Sequence, residues 1–342
     1  MTWSRGVSVS EPVFQCAGRM QLRMSWWLMV LCGGAALVVV GATVCTDRPV
    51  IGVITQAASS KRHGDTLISA NYVKYLEQSG ARVVPIRVRE TPQYYEQLFS
   101  KINGVLFPGG HGGIRTSDYS KAARIIYDLA VKANSEGEVF PLWGTCEGFQ
   151  LLTYLSTGHD YLHSSVAYNV SLPLILHPGY NTSRLFGGLT SQLAAILSSE
   201  NVTPNFHHYG VSLQTYNKSA SLRHFFRVLS TNRDTKGQLF ISTAEAYHYP
   251  FYGTQWHPEK ISFDWNPRRD VNHGANAVLV SQYLANFFVN EARRSCHKFP
   301  SDRDAGQILI ENSFMNYWDD GSFQQIYYFN YTIHTGDNHL VG

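Results

Sequence analysis

Val139-Phe140-Pro141-Leu142-Trp143-Gly144-Thr145-Cys146-Glu147-Gly148-Phe149-Gln150-Leu151-Leu152-Thr153-Tyr154-Leu155 passes from an apolar run into a helical pattern through one cysteine flanked by glycines. A side chain on a sharp strand-to-helix turn projects from the sheet edge, and neighbours without Cβ let a substrate approach it. The stretch therefore reads as a nucleophile elbow with Cys in place of Ser. The helix that follows points its N-terminal amides at the thiol, which is expected to lower the thiol pKa.

Such a thiol requires a base. Phe251-Tyr252-Gly253-Thr254-Gln255-Trp256 reads as a strand running into His257-Pro258-Glu259. Residues i and i+2 of an extended segment share a face, so Glu259 is expected beside His257, orienting the ring that takes the proton of Cys146. A buried strand-end histidine is the alternative for His257; the Pro-Glu that follows favours catalysis. Gly109-Gly110, after the apolar Gly104-Val105-Leu106-Phe107, is the candidate oxyanion loop. The Gly110 amide, with that of Glu147 next to the nucleophile, would hold the developing charge. A plain turn or a phosphate nest is the alternative, but no Lys-Ser/Thr follows, which excludes a P-loop.

Strand and helix candidates alternate around these motifs: strands at 50–55, 81–86, 104–107 and 139–143, helices at 65–78, 91–102, 117–132 and, near the end, 275–294. This is the pattern of parallel βαβ units, and it places the elbow at the carboxyl end of a parallel strand, where such sheets bind ligands. The stretch from about 158 to 221 is rich in Ser, Asn and His without clear period. It reads as surface loops plus a short helix near 191–198, inserted beside the site. Strands at 225–230, 239–246 and 251–256 resume the sheet, in antiparallel fashion.

The chain has 342 residues, 15% charged and 44% hydrophobic, with a formal net charge of +3. That supplies no basic surface for nucleic acid. Arg19 and Arg23 precede an uncharged apolar stretch from Trp26 to Val40 and the small residues Gly41, Ala42 and Thr43. The order is that of a secretory signal over 1–45, cut near 42–46, with a signal anchor as the alternative. One domain is expected over 46–335, without a stable membrane anchor. Cys146 and Cys296 remain after the cut, with Cys45 beside it; a Cys146–Cys296 bridge is the alternative to a free nucleophile. Asn169, Asn181, Asn201, Asn217 and Asn330 each begin an N-glycosylation tripeptide, which agrees with export. His177, His207 and His208 lack the partners for a metal set, so no metal or cofactor is expected. His207 instead reads as a candidate for binding substrate carboxylates.

Phe107-Pro108-Gly109-Gly110, Trp143 to Gln150 and Tyr252 to Lys260 together resemble the class I glutamine amidotransferase superfamily, and within it the gamma-glutamyl hydrolase (folylpolyglutamate hydrolase) family. The likeness runs from about Arg48 to Asn330. It implies a flavodoxin-like three-layer α/β sandwich, its central sheet mostly parallel with helices on both faces. It also implies hydrolysis of the gamma-linked glutamates of folates and antifolates in lysosomes or outside the cell, with Cys146 as nucleophile, His257 as general acid/base, and Gly109 and Trp256 near the substrate. A homodimer is a further implication. Hydrolysis of another gamma-glutamyl amide, or a non-catalytic secreted glycoprotein, are the alternative readings.

Overall fold

A computed structural model describes residues 44–317 and 324–332. Its centre is an eight-stranded sheet in the order Arg82–Ile86, Val50–Ile54, Gly104–Phe107, Leu142–Thr145, Phe251–Thr254, Leu239–Ala246, Phe226–Arg233, Ile175–Leu176. The first five strands pair in parallel and the last three are added antiparallel. The mostly parallel α/β architecture and the antiparallel extension are as the sequence pattern implies.

Both sheet faces are apolar because successive strand residues alternate between two separate cores. Val50, Ile54, Val84, Val105, Phe107, Leu142 and Phe251 enter one core, with helices Pro92–Phe99, Asp118–Ser135 and Glu147–Thr157. Ile51, Val53, Val83, Leu106, Trp143 and Tyr252 enter the other, with helices Ala70–Glu77, Ser191–Ser199 and Ala275–Ala292. Helix starts follow local chemistry: Thr91 accepts from the Tyr94 amide with Pro92 in the first turn, and Ser117 accepts from the Ser120 amide at 3.0 Å.

Two expectations are corrected. The helix expected from Asp65 begins only at Ala70, because Thr66–Ser69 is a strand paired with Gln56–Ala57 and with Gln325–Phe329. The insertion is not mainly loops: besides the helix at Ser191–Ser199 it carries strands His163–Leu172 and Thr203–Gly210, which form an antiparallel ribbon. Register shifts between Ser164 and Ala167 and between Tyr168 and Val170 break the period-2 pattern, and Asn169 sits at φ 55° in the second. Cys296 is bridged to Cys45, which excludes the alternative bridge to Cys146. Cys146 is the free cysteine among the described residues.

The amides of Cys45 and Thr46 also donate to the Arg293 carbonyl, so the start of the described chain is fastened to the end of the long C-terminal helix. The signal segment expected over 1–45 falls, up to residue 43, outside the described residues. Among the described residues no helix is long and apolar enough to cross a membrane. Cross-linking positions 251 residues apart restricts the unfolded chain strongly. Cys296→Ser is therefore expected to lower unfolding stability by about 2–5 kcal/mol, read as a fall in Tm; an unchanged Tm would mean that the bridge contributes nothing.

Candidate active site

Cys146 stands between the strand Leu142–Thr145 and the helix Glu147–Thr157 at φ 54° and ψ −112°, a left-handed conformation that a side chain rarely adopts. Strain of this kind persists only where the surroundings impose it. Here they do. The Cys146 amide donates to the Thr254 carbonyl at 2.8 Å, and its carbonyl accepts from the Gln150 amide at 3.0 Å. A Cβ on Gly148 would lie 1.9 Å from the Phe107 carbonyl oxygen, and one on Gly144 would lie 2.6 Å from the Gly148 carbonyl group. The two glycines of the elbow are thus needed for close approach of helix to sheet.

His257 follows the adjacent strand, buried at 6% exposure, and its Nδ1 is 2.7 Å from Glu259 Oε1. The pair is the expected one, but its backbone is not. The strand ends at Thr254, and Glu259 adopts helical dihedrals at the start of a short helix, Lys260–Phe263. Hydrogen bonds from Gln255 N to Ser242 O and from His257 N to Pro204 O draw the chain off the parallel ladder. The carboxylate reaches the ring through this turn and not through strand alternation.

The point that a Cβ on Gly109 would occupy lies 2.9 Å from His257 Cε1 and 3.0 Å from Cys146 Cβ, so this glycine fills the space between them. Its amide donates to the Tyr72 hydroxyl at 2.8 Å, while the Tyr119 hydroxyl donates to the Pro108 carbonyl at 2.8 Å. The next amide, of Gly110, has no acceptor among the described residues, and Gly110 lines the same cavity as Cys146 and His257. The Glu147 amide acts on the Cys146 sulfur in the sense that favours the thiolate. Gln255 Nε2 also approaches that sulfur, at 3.7 Å.

Burial dominates the electrostatics. It pushes the Cys146 thiol up to about 12, aided by the charge of Glu147 and opposed by the Glu147 amide. The helix terminus therefore does not yield the lowered pKa expected from sequence. Burial also holds His257 below the ordinary imidazole value, with Glu259 opposing. Both effects favour the uncharged thiol and uncharged imidazole at rest. Such a pair can act by passing the sulfur proton to the ring as the sulfur attacks.

The cavity is about 300 Å³ and is walled by Tyr168 and Phe206 from the insertion ribbon, Leu67, Ile326 and Tyr328 from the small sheet, and the cations Arg62, Lys260 and Arg269. Lys260 and Arg269 share Asp264, at 2.8 and 2.9 Å, and both lie over the Phe206 ring. Two sequence candidates stand outside this lining. His207 is 3% exposed, with Nδ1 3.0 Å from the Ser165 carbonyl, and burial drops its pKa to about 4. Trp256 is fully buried, donating to Thr243 Oγ1 at 3.2 Å. Each packs in the interior instead of facing a ligand. Gln56, Tyr72, Tyr119 and Arg269 escaped sequence reasoning because nothing local marks them; Gln255 and Lys260 stood inside a motif already singled out. Among the described residues no three His, Cys, Asp or Glu side chains converge to hold a metal.

Fold and site together are those of an α/β cysteine hydrolase. The Peptidase C26 family profile matches residues 49–259. Gamma-glutamyl hydrolase of Homo sapiens is 42% identical over 88% of this chain and 96% of its own length, and that of Bos taurus is 42% identical over the same shares. Gamma-glutamyl hydrolase B of Dictyostelium discoideum is 38% identical over 85% of this chain and 86% of its own. A solved structure of the glutaminase domain of Trypanosoma brucei CTPS is 15% identical, with a TM-score of 0.46, over 75% of this chain and 98% of that one. The chain belongs to the Peptidase C26 family, among the gamma-glutamyl hydrolases, and is a cysteine-type peptidase.

Since Glu259 opposes the burial that lowers His257, Glu259→Gln is expected to move the His257 titration to still lower pH, followed by imidazole NMR. A titration that stays in place or moves upward would contradict this coupling.

Proposed function

We propose that this protein hydrolyses the gamma-glutamyl bonds of folylpoly-gamma-glutamates and antifolate analogues through an acyl-enzyme on Cys146. The observation that carries the reading is that Cys146, His257, Lys260 and Arg269 all open onto one cavity. Cations on its wall suit a ligand bearing several carboxylates, and Tyr168, Phe206 and Tyr328 suit a planar ring system.

In this reading the Cys146 sulfur attacks the gamma carbonyl carbon as His257 takes the thiol proton, and Glu259 holds the imidazolium so formed. The carbonyl oxygen becomes an oxyanion held by the amides of Gly110 and Glu147. Collapse breaks the carbon–nitrogen bond, and His257 returns its proton to the departing amine. Water then adds to the thioester, with His257 as base, releasing the carboxylate and the thiol. A histidine held below its ordinary pKa stays unprotonated further into the acid range, so it remains a base in an acidic compartment.

Secretion or delivery to lysosomes completes the proposal. It is supported by the Cys45–Cys296 bridge, which forms in oxidising compartments, and by the exposure of Asn169, Asn181, Asn201, Asn217 and Asn330. Retaining that bridge requires the leader to be cut before Cys45.

The test is purified protein with folate pentaglutamate at acid pH and chromatographic identification of the products. Cys146→Ala should abolish turnover with the fold intact, and His257→Asn should lower kcat by at least about 10³-fold. Turnover retained by Cys146→Ala would overturn the mechanism. For the wild type, the acid limb of kcat/KM should fall below pH about 6.5, the ordinary histidine value.

A further inference from the structure

The Glu147 amide already has a place in the proposed reaction, but its side chain has none, and that side chain is unusually engaged. Glu147 is only 5% exposed although it opens a helix beside the cavity. A carboxylate in a first helical turn ordinarily faces water and gains from the helix dipole alone. This one turns back to the glycine loop. Oε1 accepts the Gly113 amide at 2.6 Å, and Oε2 accepts the Gly112 amide at 3.1 Å and Gln56 Nε2 at 3.2 Å.

Gln56 closes the arrangement from the other side. Its Nε2 also approaches the Pro108 carbonyl, at 3.4 Å, and its amide group packs on Gly110 so closely that a Cβ there would lie 2.3 Å from Gln56 Oε1. Pro108 and Gly109 are held by the hydroxyls of Tyr119 and Tyr72. Pro108 and Gly109, before Gly110, are therefore held by buried groups, and Gly112 and Gly113, beyond it, by Glu147. Gly112 and Gly113 are exposed, so their amides could be satisfied by water instead. Burying the carboxylate is unfavourable, since burial raises its pKa against the opposing bonds from these amides and Gln56, and it puts negative charge beside the thiol. The arrangement makes sense as a device for holding the loop still.

We infer that the Glu147 carboxylate is a positioning residue that clamps the Gly109–Gly113 loop, keeping the Gly110 amide fixed in the cavity where an oxyanion forms. The inference rests on the reading of Gly110 as an oxyanion donor. Its contribution is then to transition-state stabilisation and not to substrate binding, because an unfixed donor must be ordered during the reaction itself. Glutamine at this position cannot replace it: all three partners are donors, and an amide offers one accepting oxygen.

Two measurements test it. Hydrogen exchange, followed by mass spectrometry on peptides covering 109–113, reads the clamp without any substrate. Glu147→Gln should accelerate exchange of the Gly112 and Gly113 amides while peptides from the central sheet stay protected. Steady-state hydrolysis of a folate polyglutamate reads the consequence: kcat should fall at least tenfold with KM changed less than threefold. Alkylation of Cys146 by iodoacetamide, which forms no oxyanion, should proceed at pH 7 at least as fast as in the wild type, since a charge opposing the thiolate is gone. Unchanged exchange, an unchanged kcat, or a parallel loss of kcat and alkylation would each overturn the inference. Should Glu147→Gln fail to fold, Gln56→Ala serves: exchange should rise and kcat fall at smaller size, with alkylation not slowed, and no change in exchange or kcat overturns it equally. Absence of hydrolysis by the wild type would count against the proposed substrate, while the exchange result would still stand for or against the clamp.

Discussion

The contact between one helix and the sheet edge governs this molecule. At Gly144, Gly148 and Gly253 the backbone of the nucleophile turn, its helix and the neighbouring strand come too close for any side chain: a Cβ on Gly253 would meet the Phe149 ring at 2.1 Å. That closeness is what places Cys146 at a positive φ and directs its side chain to the cavity. The glycine loop after Gly104–Phe107 and the turn carrying His257 follow the two strands that flank the cysteine strand on either side. Three adjacent parallel strands therefore deliver three chemical components to one spot, as expected at the carboxyl edge of such a sheet.

Electrostatically the site is quiet until it is used. Low polarity around Cys146 and His257 disfavours the charged form of each, so separation of charge is deferred to the encounter with substrate. Glu259, 1% exposed and bonded to the ring, opposes the burial that disfavours a charged imidazole. The cations Lys260 and Arg269 stand on the cavity wall, where Asp264 between them moderates their mutual repulsion.

What was legible from sequence was what is encoded locally. The elbow, the histidine followed two residues later by its carboxylate, and the βαβ half all depend on neighbours within a few residues or on simple periodicity. The distant pairings were not legible. Thr66–Ser69 is a strand because its partner arrives some 260 residues later, as in the pairing of Ile326 with Ser69. The ribbon was hidden by its bulges. Tyr72 and Gln56 touch the loop only because the chain folds, and Cys45 meets Cys296 only at the far end of the long helix. His207 and Trp256 misled in the opposite sense, since residues near reactive groups in sequence can point into the interior.

The cavity is assembled from pieces that answer to separate sheets: a floor from the central one, one wall from the insertion ribbon, the other from the small sheet formed by Thr66–Ser69 and Gln325–Phe329. None of the wall strands contributes to the hydrogen-bond ladder that sets the cysteine turn. Apart from the Pro204 carbonyl that accepts the His257 amide, the walls can thus change without disturbing the floor. A scaffold divided in this way is able to exchange one leaving group for another by remodelling its periphery, while the bond it breaks stays the same.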